Sequence, residues 1–186
     1  MKTLATKYFE VLERKLSLEE FRNWLQSQEN SEEVKHDKLW KTFLSFNYAS
    51  GSGNIGYEFS KLLRNFDLDE YAIFKFGNSL TQILEDGNLF RIVRSCRDFD
   101  SRYNYPLFGI IGDFDSQLDN EEFSYSEVRQ KLASIAEPIE LQWNALKSNT
   151  EKLALLRKQI EVAKATSTQG AVYDRFYGRM WKIWKN

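Results

Sequence analysis

Apolar residues return every three or four positions along almost the whole chain, the spacing of a single helix face. Leu4, Tyr8, Val11 and Leu12 open the pattern, and Leu18, Phe21 and Leu25 continue it behind Ser17-Leu-Glu-Glu20. That tetrad is a capping box, in which the serine hydroxyl accepts from an early helical N–H and the glutamate reaches back. Leu39, Phe43 and Phe46 mark a third helix, which runs into the loop NYASGSGN at 47–54. Ile55, Phe59, Leu62, Leu63 and Phe66 mark a fourth. Gly77 and Gly87 read as breaks, predicting helices near 69–76, 79–86 and 88–97, the last with the face Leu89, Ile92, Val93 and Cys96.

Further on, Tyr125, Val128, Leu132 and Ile135 form a face that opens at a Ser124 or Ser126 cap. Pro138 suits the first turn of the next helix. Ile139, Leu146, Leu153 and Ile160 lie seven apart, which predicts a long helix from Pro138 to Ala165 spanning about 40 Å at the helical rise. Gly170 separates a last helix, Ala171 to Trp184. Only YNYPLFGII at 103–111 could be extended, and an isolated strand has nothing to pair with. The fold class expected is all-α: a single-domain bundle of about eight helices over residues 1–186, with a long C-terminal helix. Any subdivision would fall between 1–97 and 123–186, joined by residues 98–122.

The totals narrow the setting. A chain of 186 residues, 42% hydrophobic and 15% aromatic, builds a core without staples. Cys96 is its one cysteine, so no intramolecular disulfide and no multi-cysteine metal site is available, and a reducing, cytoplasmic compartment is expected. Charges interrupt the first residues, unlike a secretory signal, and no window reaches the length of a membrane span. The net charge is −1, so any attraction to a charged partner is local.

Two segments carry local charge. Residues 98–122 write DFDS twice and hold Asp98, Asp100, Asp113, Asp115, Asp119, Glu121 and Glu122 against Arg102, a net −6. Carboxylates two apart can converge on a hard cation. Counted as a calcium loop from Asp113, however, the segment puts Leu118 where the turn needs glycine and Ser124 where a bidentate glutamate belongs. The second segment, 141–186, carries nine bases and three acids, a net +6, and its last helix interleaves Arg175, Arg179, Lys182 and Lys185 with aromatic residues. Such a mixture stacks on bases and holds phosphates. Val172, Phe176, Met180 and Ile183 form a core stripe on the same helix, and a basic segment in a domain that is not basic argues against nucleic acid.

Catalytic side chains are scarce. His36 is the one histidine and sits in the charged run SEEVKHDK, while Cys96 belongs to an apolar face. Glu10 and Glu13 have the i, i+3 spacing of a carboxylate pair, but the register of Leu4, Tyr8, Val11 and Leu12 points them to solvent. Glu29, Glu32 and Glu33 have no apolar frame.

The order S-x-E-x-F-x-x-W-L, a polar turn, a helix ending in SFNY and a helix ending in KLL, all within residues 16–63, resembles small uncharacterised bacterial proteins of the toxin-immunity type. The resemblance implies a bacterial protein that acts by binding and brings no catalytic residue. The expected function is therefore non-catalytic: protein–protein binding of a basic partner through the acidic surface of 98–122, with no cofactor, no metal and no membrane. The alternative is a divalent-metal-dependent enzyme that uses the same aspartates.

Overall fold

The computed structural model describes residues 3–29, 31, 34, 37–48, 55–119 and 123–158. Most of them are helical, and no strand occurs among them. The chain runs α1 (Leu4–Leu12), α2 (Leu18–Gln28), α3 (Lys38–Leu44), α4 (Ile55–Ser60) continuing as a 3-10 helix (Lys61–Asn65), α5 (Leu68–Leu84), α6 (Leu89–Tyr103), α7 (Pro106–Gly112), α8 (Asp115–Leu118), α9 (Tyr125–Ala145) and α10 (Asn149–Arg157). The helix expected at 171–184 lies outside the described residues.

Local chemistry accounts for the helix starts. Ser17, Ser124 and Ser148 each accept from the backbone N–H three residues on, and Glu20, Glu127 and Glu151 each reach back to the cap. The side chains of Thr3, Asp37, Asp67 and Asn88 cap four more helices. Each such cap satisfies an N–H that has no partner inside the helix and stabilises by about 1 kcal/mol.

Three expected boundaries moved. Gly77 does not break α5; it lies in its middle, where a Cβ would stand 3.0 Å from the indole Nε1 of Trp143. Glycine serves here to let α5 approach α9. The long C-terminal helix is α9, which starts earlier and stops earlier than the heptad spacing predicts: Pro138 lies inside it, and Leu146 is extended. The backbone N–H groups of Lys147 and Ser148 both turn to Glu151 Oε2, at 3.0 and 2.9 Å, so a new cap restarts the chain as α10. The apolar stretch expected as the one extended candidate is instead α7. Asn104, in the left-handed region at φ 56, ends α6, and Pro106 occupies the first turn of α7, where its missing N–H costs nothing.

The core has an aromatic half and a mixed half. In the first, the Tyr8 ring stacks on Phe66 at 4.7 Å and is ringed by Phe9, Phe43 and Phe59, while its hydroxyl donates to the Phe59 carbonyl at 2.9 Å. Burial pushes that phenol far above its ordinary pKa. In the second, Phe76, Phe108 and Trp143 meet between α5, α7 and α9. α10 is tied back by Arg157, which donates to both oxygens of Asp69 at 2.6 and 2.9 Å. No helix among the described residues is long and apolar enough to cross a membrane.

Candidate functional site

The acids of the DFDS repeat do not form one exposed row. Asp98 is exposed, whereas Asp100 is half-buried and accepts the Tyr105 N–H, with Oδ2 where a Cβ on residue 109 would stand. Gly109 is what leaves room for it. Asp115 is 3% exposed, and its two oxygens accept from Arg94 Nε at 3.1 Å and from Arg97 Nη1. Asp119 takes the other end of the Arg94 guanidinium at 2.9 and 3.1 Å. Asp113 is exposed, and both its carboxyl and that of Asp100 titrate above the usual carboxylate range. Loss of water around the carboxyl is the larger cause for both, and the charge of Asp100 adds to it at Asp113.

The expectation that these acids sit together on the exterior is therefore corrected at Asp115. The two arginines supply hydrogen bonds in place of the water that the Asp115 carboxylate loses on burial. Glu121 and Glu122 lie outside the described residues, as does most of the basic C-terminal segment. Among the described residues no three aspartates, glutamates, histidines or cysteines gather as a metal-holding set.

Beside the acidic segment the end of α1, the α4 and 3-10 segment, α5 and α6 line a cleft of about 1100 Å³. Its floor is a buried polar network. Glu13 Oε1 accepts from the Tyr71 hydroxyl at 2.6 Å and from Lys75 Nζ at 3.0 Å, and Glu13 Oε2 accepts from Asn78 Nδ2 at 3.4 Å. Lys75 also donates to Ser95 Oγ at 2.6 Å. The side chains of Lys75 and Glu13 are only 7% and 10% exposed, so each ion is held by the other rather than by water. Burial, then the Glu13 charge, drives the Tyr71 phenol far above its ordinary pKa. Cys96 lies behind the floor, donating to Ser79 Oγ at 3.6 Å, and burial pushes its thiol up to about 11 against the opposing pull of Lys75. It stays a thiol at neutral pH.

This network overturns the reading of Glu10 and Glu13 as solvent-facing. The buried face of α1 comprises Leu4, Tyr8, Phe9 and Glu10, rotated from the one drawn through Val11 and Leu12, and Glu13 caps the helix end where the chain folds back over α5. A signal was present on the other partner: Tyr71, Lys75, Ser79 and Gln82 make a polar stripe at helical spacing along α5, and all four line the cleft.

The walls are basic. Arg14, Lys61, Arg64, Lys75, Arg91, Arg94 and Arg102 line the cleft against two acids, Glu13 and Asp98. Lys61 pairs with Glu58, Lys75 with Glu13, and Arg94 with Asp115 and Asp119. Arg14, Arg64, Arg91 and Arg102 are exposed and make no ion pair among the described residues. Arg91 donates to Gln82 Oε1 at 2.7 Å, and Arg102 lies over the Tyr103 ring. Arg14 also holds φ 59, a left-handed backbone that glycine adopts more readily. Arg91, Arg94, Asp98 and Arg102 run along one stripe of α6 at helical spacing, so one rigid element positions three of the seven bases. No family model, curated protein or solved structure matches this chain.

Proposed function

We propose that this protein acts by binding, and that its recognition surface is the basic cleft, which takes an anionic partner. One observation carries the reading: four arginines that make no ion pair among the described residues surround a cleft of about 1100 Å³ on a chain whose net charge is −1. Like charges held together repel, and an anion that enters relieves the repulsion while being steered by the field of the walls. Arginine suits this use because its planar fork meets phosphate or carboxylate oxygens two at a time.

Binding rather than catalysis is favoured by the state of the cleft's own ionisable groups. Glu13 accepts from three donors and Lys75 donates to two acceptors, so their polar atoms are turned to one another and to the fold rather than to the open cleft. The resemblance of residues 16–63 to immunity-type bacterial proteins points the same way, and a bacterial cytoplasm is the setting we propose. A basic partner docking on the acidic segment is the weaker reading, because Asp115 and Asp119 are already occupied by Arg94 and Arg97.

The test is titration of the full chain with inorganic polyphosphate at low salt. The wild type is expected to bind, with affinity falling steeply as salt rises, and Arg64→Glu with Arg102→Glu is expected to abolish binding at an unchanged melting temperature. A wild type that does not bind, or a double variant that binds equally well, overturns the reading.

A further inference from the structure

Arginines alone would serve any polyanion, but aromatic faces accompany these. Tyr57 lines the cleft with 60% of its surface exposed, and Lys61 Nζ stands 4.4 Å from its ring centroid. At the first turn of α6, next to the cleft residue Arg91, Phe90 lies 39% exposed and stacks on Tyr125, itself 43% exposed, at 5.9 Å and 25°. Arg94 stands over the Phe90 ring and Arg129 over that of Tyr125. Of the four exposed large hydrophobic side chains among the described residues, Tyr57 lines the cleft, while Phe90 and Tyr125 stack outside its lining at the start of α6, and each of the three is accompanied by a cation. Open ring faces that alternate with cations are what a strand of unpaired bases requires. The bases stack on the rings in a sequence-tolerant way, and the cations track the phosphates.

Resting on the anion-binding reading of the cleft, we infer that its occupant is a single-stranded nucleic acid, with its phosphates on the unpaired Arg91 and Arg102 of α6 and bases stacked on Tyr57 and Phe90. The expectation against nucleic acid rested on the basic C-terminal segment and on the charge of the whole domain. The cleft is a separate basic surface, assembled from α1, the 3-10 helix and α6, and only folding brings it together. The volume of the cleft is close to that of small-molecule sites, but a phosphorylated small molecule confined to it would leave Phe90, outside its lining, without a role. An acidic polypeptide would use the arginines and make little use of the open ring faces.

The experiment compares three probes on the full chain by fluorescence anisotropy, each as direct ligand or competitor: a labelled oligouridylate of about twelve nucleotides, within the site sizes of single-strand binders, inorganic polyphosphate of matching charge, and poly-glutamate. The oligouridylate is expected to bind most tightly. Tyr57→Ala and Phe90→Ala are each expected to weaken it about fivefold or more, the effect of losing one stacked base, while polyphosphate binding and the melting temperature stay unchanged. Tyr57 is the safer substitution, since its ring has little packing to lose. If polyphosphate binds as well as the oligonucleotide and neither aromatic variant matters, this inference falls and the anion-binding cleft stands. Poly-glutamate binding most tightly would identify an acidic polypeptide as the occupant and overturn the inference. If no probe binds, the anion-binding reading falls with it.

Discussion

The acidic repeat and the basic cleft are both dense in like charge, and the fold treats them in opposite ways. Asp115 is drawn inside between Arg94 and Arg97, Asp119 shares Arg94, and Asp100 holds the Tyr105 N–H. Of the four acids of the repeat, Asp115 is answered by bases on the helix that carries the first copy, and Asp119 just beyond shares one of them. In the cleft the order is reversed: the ions at the floor, Glu13 and Lys75, answer each other, while Arg14, Arg64, Arg91 and Arg102 on the walls make no ion pair among the described residues. Charge that a fold neutralises internally contributes to structure. Charge left exposed around a concavity is available to a partner. Local charge density along a sequence does not distinguish these two outcomes.

The largest effect expected is at the cleft floor. Glu13→Ala leaves Lys75 buried and unpaired, and should lower the unfolding free energy by about 3 kcal/mol or more in urea titration. Glu13→Leu with Lys75→Met should recover part of that loss, because a packed apolar pair replaces a buried ion pair at little cost. A single-variant loss below about 1 kcal/mol would mean that the floor is wet and the pair weak.

Asp115→Asn comes next. It keeps the shape but removes the charge that two guanidinium groups share, and should cost about 2 kcal/mol, within the range for hydrogen bonds to charged groups. An unchanged stability would show that Asp115 is not an internal anchor and would return it to the list of docking residues.

A smaller effect of opposite sign is expected at Asp113. Its carboxyl titrates above the usual range, so the folded protein holds that proton more tightly than the unfolded chain does. Stability from this group is therefore present at low pH, below the unfolded value of about 3.9, and falls as pH rises through the raised folded value. Asp113→Asn removes that fall: the variant should melt higher than the wild type at pH 7 and together with it at pH 3. Because Asp113 is solvent-exposed, the difference should be small. A variant that melts lower at pH 7 would show that the charge is welcome where it stands.

The smallest effect on stability belongs to the arginines proposed for binding. Arg64→Glu with Arg102→Glu should leave the unfolding free energy within about 0.5 kcal/mol, as surface changes usually do, while the charge of the cleft is reversed. A clear loss of stability would mean that these side chains hold the fold, and the contrast with the acidic repeat would disappear.

Much of the architecture could be read before folding is considered. The face Leu89, Ile92, Val93 and Cys96 is buried as its spacing predicts, and so are Val128, Leu132 and Ile135. Ser17 and Glu20 make their capping box. These features depend on residues three or four apart, where a helix needs no information from elsewhere in the chain. Gly77 shows where that logic stops. By itself it looks like a break, and its role appears only against Trp143, which α9 supplies from far along the sequence. Leu146 fits a heptad by spacing, yet the competing cap at Ser148 governs the local backbone.

What the sequence determined by itself, then, is the helical class, most of the buried faces and the capped starts, because propensity, periodicity and capping all act within a turn or two. Which charges face a partner was decided only by the tertiary structure. Glu13 meets Lys75 across 62 positions and Arg94 meets Asp115 across 21. Such pairings form only where packed helices bring their ends together, and an ion's stability depends on how much water the neighbouring helices leave it. Arg64 on the 3-10 helix and Arg102 at the end of α6 become walls of one cleft in the same way, through the packing of elements whose own sequences carry no sign of each other.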